Sequence, residues 1–207
     1  TIAAVVHVVD EDASVRDTLR RVLELAGHPV RCHASAADFL LAWPIDVPAC
    51  VLLDVRMPGP SGMDLQLALS QRHDAPPVVL MSGCGDIPMS VLAVKRGAVD
   101  VLAKPIEREP LLTAVANAIE RSHAQQALRH RRRAVHERFV KLTARERAVF
   151  EQVVAGRLNK QIAATLCTCE RTVKAHRANV MHKMQAHSVA ELVRIAIQLE
   201  SDNEVAN

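Results

Sequence analysis

Asp54 closes the apolar run Cys50-Val51-Leu52-Leu53 and is followed by Val55-Arg56-Met57-Pro58-Gly59, a loop that cannot continue a strand. A carboxylate at the carboxyl end of a buried strand sits where open α/β sheets place their chemistry, although many strands end in an Asp that merely starts a turn. Three further strand-like runs end in groups able to join it. Val5-Val6-His7-Val8-Val9 ends in Asp10-Glu11-Asp12, Val78-Val79-Leu80-Met81 in Ser82, and Val99-Asp100-Val101-Leu102-Ala103 in Lys104-Pro105. In a doubly wound sheet these ends all open onto one edge. Crowded carboxylates repel and need a cation, and clustered oxygen donors suit Mg²⁺. A carboxylate, a hydroxyl and an ammonium around such an ion would supply the placement and charge neutralisation that phosphoryl transfer requires.

The elements that must position these groups are legible as an alternation. Short apolar runs at 5–9, 30–32, 50–53, 78–81 and 99–102 are each followed by an amphipathic stretch, at 15–25, 39–42, 65–69, 91–93 and 111–119. Five strand-helix units predict an α/β fold with a doubly wound, five-stranded parallel sheet and right-handed crossovers. Runs one, three and four are apolar almost throughout, as strands covered on both faces should be. After Pro110 the last helix turns polar at Glu120, and no Gly or Pro occurs between 111 and 155. It should therefore run on as a rigid linker to about residue 130, ending in the basic block Arg129-His130-Arg131-Arg132-Arg133.

Residues 143–199 read as four short helices. Thr143 with Glu146 forms a capping-box pattern, Gly156 stops the first helix, Asn159 can cap the second, the third begins near Glu170 to Thr172, and the fourth follows Ser188. Within the third, Val173, His176, Val180 and Met184 form one core-facing stripe, which leaves Lys174, Ala175, Arg177 and Ala178 outward.

Charge divides the 207-residue chain. Residues 1–119 carry ten Lys and Arg against fourteen Asp and Glu, a net −4, whereas 120–207 carry sixteen against nine, a net +7. Such asymmetry separates a half that handles a cation or small polar ligand from one that meets a polyanion. No apolar run approaches the roughly 20 residues of a membrane span, and the first residues lack a signal-peptide pattern, so the cytoplasm is the expected compartment and no membrane partner is expected. The five cysteines (Cys32, Cys50, Cys84, Cys167, Cys169) contain no CxxC pair and are expected to be reduced thiols, mostly packing residues.

On these residues the first 120 positions resemble a response-regulator receiver domain, with Ser82 through Ser90 and Lys104-Pro105-Ile106-Glu107 especially similar to the NarL/FixJ family. Leu142-Thr143-Ala144-Arg145-Glu146, Gly156, Asn159-Lys160-Gln161-Ile162-Ala163 and Arg171 through Met184 resemble the LuxR-type helix-turn-helix. The resemblance implies a flavodoxin-like receiver at 1–120, a helical linker at 121–140 and a DNA-binding domain at 141–207. It implies that Asp54 is a phosphoacceptor charged by a sensor histidine kinase and that Asp10 and Glu11 bind Mg²⁺ with Asp54 and the Arg56 backbone carbonyl. It further implies that Ser82 is a switch hydroxyl, that Lys104 is a salt-bridging group, and that Lys104-Pro105 is a cis peptide. Lys174, Ala175 and Arg177 would then reach bases in the major groove, while Lys160, Thr172 and Lys183 would face phosphates. Phosphorylation would pair receivers through Val91, Lys95 and Ile106, giving a homodimer that binds promoter DNA and works with RNA polymerase. No enzyme activity beyond slow self-dephosphorylation is implied.

Two positions of the receiver depart from the family pattern. Glu11 stands where Asp is usual, which leaves open whether Glu11 or Asp12 meets the metal. Val101 stands where the switch residue is usually aromatic, so the signal is expected to pass through Ser82 and the surface of residues 87–96. Cys169 replaces a better N-cap, Ser, at the start of the third helix. Two other readings compete: a DNA-binding regulator whose degenerate receiver works without phosphorylation, and a haloacid-dehalogenase-like phosphatase built on Asp10-Glu11-Asp12. The second lacks the further acidic pair such enzymes need after the Lys.

Overall fold

A computed structural model describes residues 3–43, 47–72, 74–83 and 92–205 of the chain. They fall into two compact units, residues 1–126 and 127–207. In the first, β1 (Val5–Val9), β2 (Val30–His33), β3 (Ala49–Asp54), β4 (Val78–Ser82) and β5 (Asp100–Ala103) form one parallel sheet in the order β2-β1-β3-β4-β5. The three runs that are apolar throughout occupy the three central places. Every residue of β3 and β4 is buried.

Strand alternation divides those residues between the two faces. Cys50 and Leu52 join Val6, Val8, Leu19, Leu23, Leu111 and Val115 in one cluster, whereas Val51 and Leu53 join Val9, Phe39, Leu65, Leu69 and Leu80 in the other. Each fully buried aliphatic side chain contributes about 1.5–3 kcal/mol, so both layers are held by the sequence of β3 itself. The covering helices start where polar residues can satisfy free backbone N–H groups. Asp12 caps α1 (Ala13–Leu25), Ser35 caps α2 (Ala36–Ala42), and Ser61 with Asp64 forms a capping box on α3 (Gly62–Ser70). The described part of α4 is residues 92–95.

Helix α5 spans Arg108–Val140, past the basic block near 130 and through the whole stretch 121–140 expected as a helical linker. Without Gly or Pro nothing interrupts it, and Val135 near its end is buried in the core of the second unit. That core, which includes Val149, Phe150, Val153, Ile162, Val173, Val180, Met184 and Leu192, gathers α6 (Ala144–Val154), α7 (Asn159–Thr165), α8 (Glu170–Met184) and α9 (Val189–Val205). The Thr143 and Glu146 capping box forms, and Gly156 takes a left-handed φ of 75° just beyond the end of α6, a conformation that glycine adopts without Cβ strain.

Two sequence expectations need correction. Asn159 is the first residue of α7, not its cap; Leu158 holds the cap position and its N–H donates to Gln161 Oε1 at 2.9 Å. The Asn159 side chain is instead taken by Arg177, whose Nη1 donates to its Oδ1 at 3.1 Å. Among the described cysteines only Cys50 is buried, while Cys32, Cys167 and Cys169 are exposed, so packing does not explain those three; Cys84 lies outside the described residues. No described helix is long and apolar enough to cross a membrane.

Candidate functional site

The carboxyl ends of β1, β3 and β5 bring three charged groups together. Lys104 Nζ donates to Asp10 Oδ2 at 2.7 Å and to Asp54 Oδ2 at 2.8 Å. Register explains the convergence, since β1 and β3 pair in parallel from Val5 opposite Ala49 to Val9 opposite Leu53, and Asp10 and Asp54 follow directly. The other carboxylate oxygens accept from the loops beyond: Asp10 Oδ1 from the Asp12 N–H at 2.9 Å, Asp54 Oδ1 from the Arg56 N–H at 3.2 Å. Burial opposes the Lys104 ammonium, but hydrogen bonds and charge from the two aspartates override it and hold its pKa above the ordinary lysine value. The backbone N–H of Lys104 donates to the Ser82 carbonyl at 2.7 Å, and the Lys104-Pro105 peptide is cis.

Asp10 is fully buried and Asp54 is 7% exposed. Two carboxylates against one ammonium leave a net negative charge at a nearly dry edge, a donor set that fits a hard cation. Among the described residues no three His, Cys, Asp or Glu side chains converge to hold a metal, and Glu11 is exposed on the first loop. Glu11 nonetheless lines the cleft beside Asp54, together with Val55, Arg56, Met57 and Ser61. Asp12 is committed elsewhere: its Oδ1 accepts from the Ser14 N–H at 2.8 Å as the α1 cap, and those bonds hold its carboxyl below the usual range.

Two supporting residues had not been singled out in the sequence. Arg16 Nη1 donates to the carbonyls of Asp10 at 2.6 Å and Glu11 at 2.8 Å, pinning the acidic loop. A Cβ on Gly62 would overlap the Asp54 carbonyl oxygen, so only glycine lets α3 start directly beneath the acceptor. The signal for Gly62 was present in Pro60-Ser61-Gly62, a loop-to-helix junction, but nothing local reports what the glycine approaches. Ser82 is buried, and its hydroxyl donates to the Gly83 carbonyl at 3.3 Å. The Arg56 guanidinium lies against Gly83, where an added Cβ would collide with it.

Val101 is half-buried and packs against the cluster that contains Phe39 and Leu80. Of the three residues expected on a pairing surface, Lys95 is exposed, Ile106 is partly buried against the opposite cluster, and Val91 lies outside the described residues. The relay surface expected at 87–96 is likewise described only from residue 92; there Leu92 is 40% and Val94 55% exposed, and Val94 was not among the residues singled out.

In the helical unit α8 buries Val173, Val180 and Met184, with His176 partly covered, and leaves Lys174, Ala175 and Ala178 exposed. Arg177 is partly covered because it bonds Asn159. Lys160 is exposed on α7, and Thr172 at the start of α8 meets Cys169 Sγ at 3.1 Å. Cys169 makes no side-chain cap to the helix. Lys183, expected to face a phosphate, is partly covered and paired within the helical unit. Its Nζ donates to the buried Glu146 at 2.6 Å and to the Lys141 carbonyl at 3.4 Å, which fastens α8 to α6. The Lys183 hydrogen bond and the capping-box bonds hold the Glu146 carboxyl down to about 2. Arg138 on α5 closes the same end, donating to the Met184 carbonyl at 3.1 Å and Gln185 Oε1 at 2.9 Å.

Residues 6–116 match the family model of the response regulator receiver domain, and residues 140–196 match that of the bacterial regulatory proteins of the luxR family. The transcriptional regulatory protein FixJ of Azorhizobium caulinodans is 45% identical over 193 residues, 93% of this chain and 91% of that protein. The solved structure of the response regulator StyR superposes with a TM-score of 0.81 at 39% identity, covering 95% of this chain and 99% of that one. Full-length FixJ from B. japonicum superposes with a TM-score of 0.56 at 40% identity, covering 96% and 98%. With both domains matched and the acidic edge and helix-turn-helix in place, the chain belongs to the two-component response regulators of the NarL/FixJ family.

Proposed function

We propose that Asp54 accepts a phosphoryl group from the phosphohistidine of a sensor kinase and that the modified protein pairs and binds promoter DNA to activate transcription in the cytoplasm. The observation that carries this reading is the single ammonium of Lys104 shared between Asp54 and Asp10 at the end of the central strands. An Asp54 oxygen attacks phosphorus, the phosphorus–nitrogen bond breaks, and histidine leaves with the electron pair. Slow attack by water on phosphorus later restores the carboxylate, the only enzymatic step assigned. Mg²⁺ bound by Asp10, Glu11, Asp54 and the Arg56 carbonyl would supply charge neutralisation for the transfer, as receiver domains generally require. Lys104 offsets the added negative charge, and the Ser82 hydroxyl turns from Gly83 to donate to a phosphoryl oxygen.

Lys174, Ala175 and Arg177 read base edges, and Lys160 and Thr172 hold phosphates. Pairing through α4 and β5, near Val91, Lys95 and Ile106, sets two half-sites about one DNA turn apart and presents the dimer to RNA polymerase. The test is incubation with acetyl phosphate and Mg²⁺, followed by mass spectrometry, oligomer analysis and DNA titration. An adduct that disappears in Asp54→Ala, together with pairing and tighter DNA binding, is expected. An adduct without any change in pairing or DNA affinity would support the phosphorylation-independent reading, which the half-buried Val101 favours; no adduct would sink the proposal.

A further inference from the structure

We propose that Arg16 is a positioning residue for the Mg²⁺ site: it holds the two peptide groups on either side of Glu11, sets the direction in which that side chain leaves the backbone, and so strengthens cation binding. The inference rests on the reading of Asp10 and Glu11 as Mg²⁺ ligands under Proposed function, and it assigns the residue that orients one of them.

Arg16 stands near the start of α1 and is half-buried. A single nitrogen, Nη1, which carries two N–H groups, donates to the Asp10 carbonyl at 2.6 Å and to the Glu11 carbonyl at 2.8 Å. Those oxygens belong to the peptide groups before and after the Glu11 Cα. Between two consecutive planar peptide groups the only soft rotations are φ and ψ of the residue they flank. Tying both oxygens to one nitrogen therefore restricts the Glu11 backbone, and with it the direction of the Cα–Cβ bond.

The two acids differ in what else holds them. Asp10 is fully buried and is fastened three further ways: its Oδ2 accepts from Lys104 Nζ at 2.7 Å, its Oδ1 accepts from the Asp12 N–H at 2.9 Å, and its own N–H donates to the His33 carbonyl at 3.2 Å. Glu11 is exposed and lines the cleft with Val55 and Arg56. Its longer side chain loses more rotamer freedom than an aspartate when it is fixed on a ligand, and a preset starting direction reduces that cost. The effect of Arg16 is thus concentrated on Glu11.

Charge alone makes the opposite demand. A guanidinium beside the acidic loop repels a cation, so a residue that contributed only its charge would, on neutral replacement, let Mg²⁺ bind more tightly. The sign of the change separates the two roles.

Mg²⁺ binding to the full-length protein, without a phosphoryl donor, is measured by isothermal titration calorimetry for the parent, Arg16→Gln, Glu11→Gln and the double variant. Arg16→Met, which keeps the aliphatic stem, is the second variant against a folding defect; the buried α1 anchors Leu19 and Leu23 are untouched in both, and circular dichroism melts verify the fold. Arg16→Gln and Arg16→Met should weaken binding about tenfold, as loss of a group that orients a metal ligand does. In the Glu11→Gln background the Arg16→Gln loss should shrink to less than about twofold. With acetyl phosphate as donor, half-saturation in Mg²⁺ should rise about tenfold while the rate at saturating Mg²⁺ stays within about twofold of the parent. A parent protein that binds no Mg²⁺ overturns the metal reading and the role of Arg16 with it. Where the parent binds, unchanged or tighter affinity in the Arg16 variants, an undiminished loss in the Glu11→Gln background, or a lower saturated rate at unchanged half-saturation overturns the role of Arg16 alone.

Discussion

Protonation of a buried histidine pair should loosen the receiver in mild acid, and its magnitude follows from the packing. His7 on β1 is fully buried and His33 on β2 is 7% exposed; His7 Nδ1 and His33 Nε2 share a hydrogen bond of 2.9 Å, and Phe39 stands edge-on to both rings. His7 Nε2 is buried without a partner. Burial first, then the His33 and Arg31 charges, lower the His7 pKa from 6.5 to about 4; burial and Arg31 also lower His33, against the opposing pull of Asp38. Because the native pair is neutral while an unfolded histidine takes up a proton near 6.5, the contribution is whole above 6.5 and is lost as pH falls from 6.5 toward about 4. The full loss through His7 is about 3 kcal/mol, and between about pH 7.5 and pH 5 it is roughly 2 kcal/mol. Urea unfolding followed by Trp43 fluorescence reads the receiver alone, because Trp43 stacks on Phe39 at 5.9 Å. His7→Val, matched to the valines on either side, should flatten the pH dependence by that amount. Identical pH dependence in the variant and the parent protein would refute the reasoning. The consequence reaches the site, since the His33 carbonyl accepts from the Asp10 N–H at 3.2 Å.

Three further outcomes are expected. Gly62→Ala pushes a methyl group into the Asp54 carbonyl, so it should cost about 1–3 kcal/mol in urea titration and slow adduct formation with acetyl phosphate; an unchanged rate would show that the backbone there yields freely. Cys169→Ser supplies the missing cap of α8 and should stabilise the helical unit by about 1 kcal/mol, visible as a higher melting temperature by circular dichroism. Lys160→Ala should lower the salt dependence of DNA binding by about one phosphate contact without changing the melting temperature. Lys183→Ala should do the reverse, because it removes the partner of the buried Glu146, and a pure loss of salt slope in that variant would restore the phosphate role.

Most of the fold was legible in the residues because its signals are local. Apolar runs of three to five residues, capping residues at Thr143 and Ser188, and the turn at Gly156 each act within one element, and the 3.6-residue stripe of α8 predicted its buried face. Where the reading slipped, a partner distant in sequence had intervened. Asn159 lost its capping role to Arg177, eighteen residues away, and the unforeseen partner of Lys183 is Glu146, thirty-seven residues away.

The same distinction holds at the acidic edge. The sequence by itself determined that Asp10 and Glu11, Asp54, Ser82 and Lys104 stand at the ends of the first, third, fourth and fifth strands, because a parallel sheet with right-handed crossovers must place those ends together. Which oxygen meets which nitrogen was decided only by the tertiary structure: Lys104 bridging Asp10 and Asp54, Asp12 spent on capping α1, Arg16 pinning the loop, and Gly62 making room beneath Asp54. Those contacts depend on strand register and helix placement, which are set by packing over the whole core, and no short stretch of sequence encodes them.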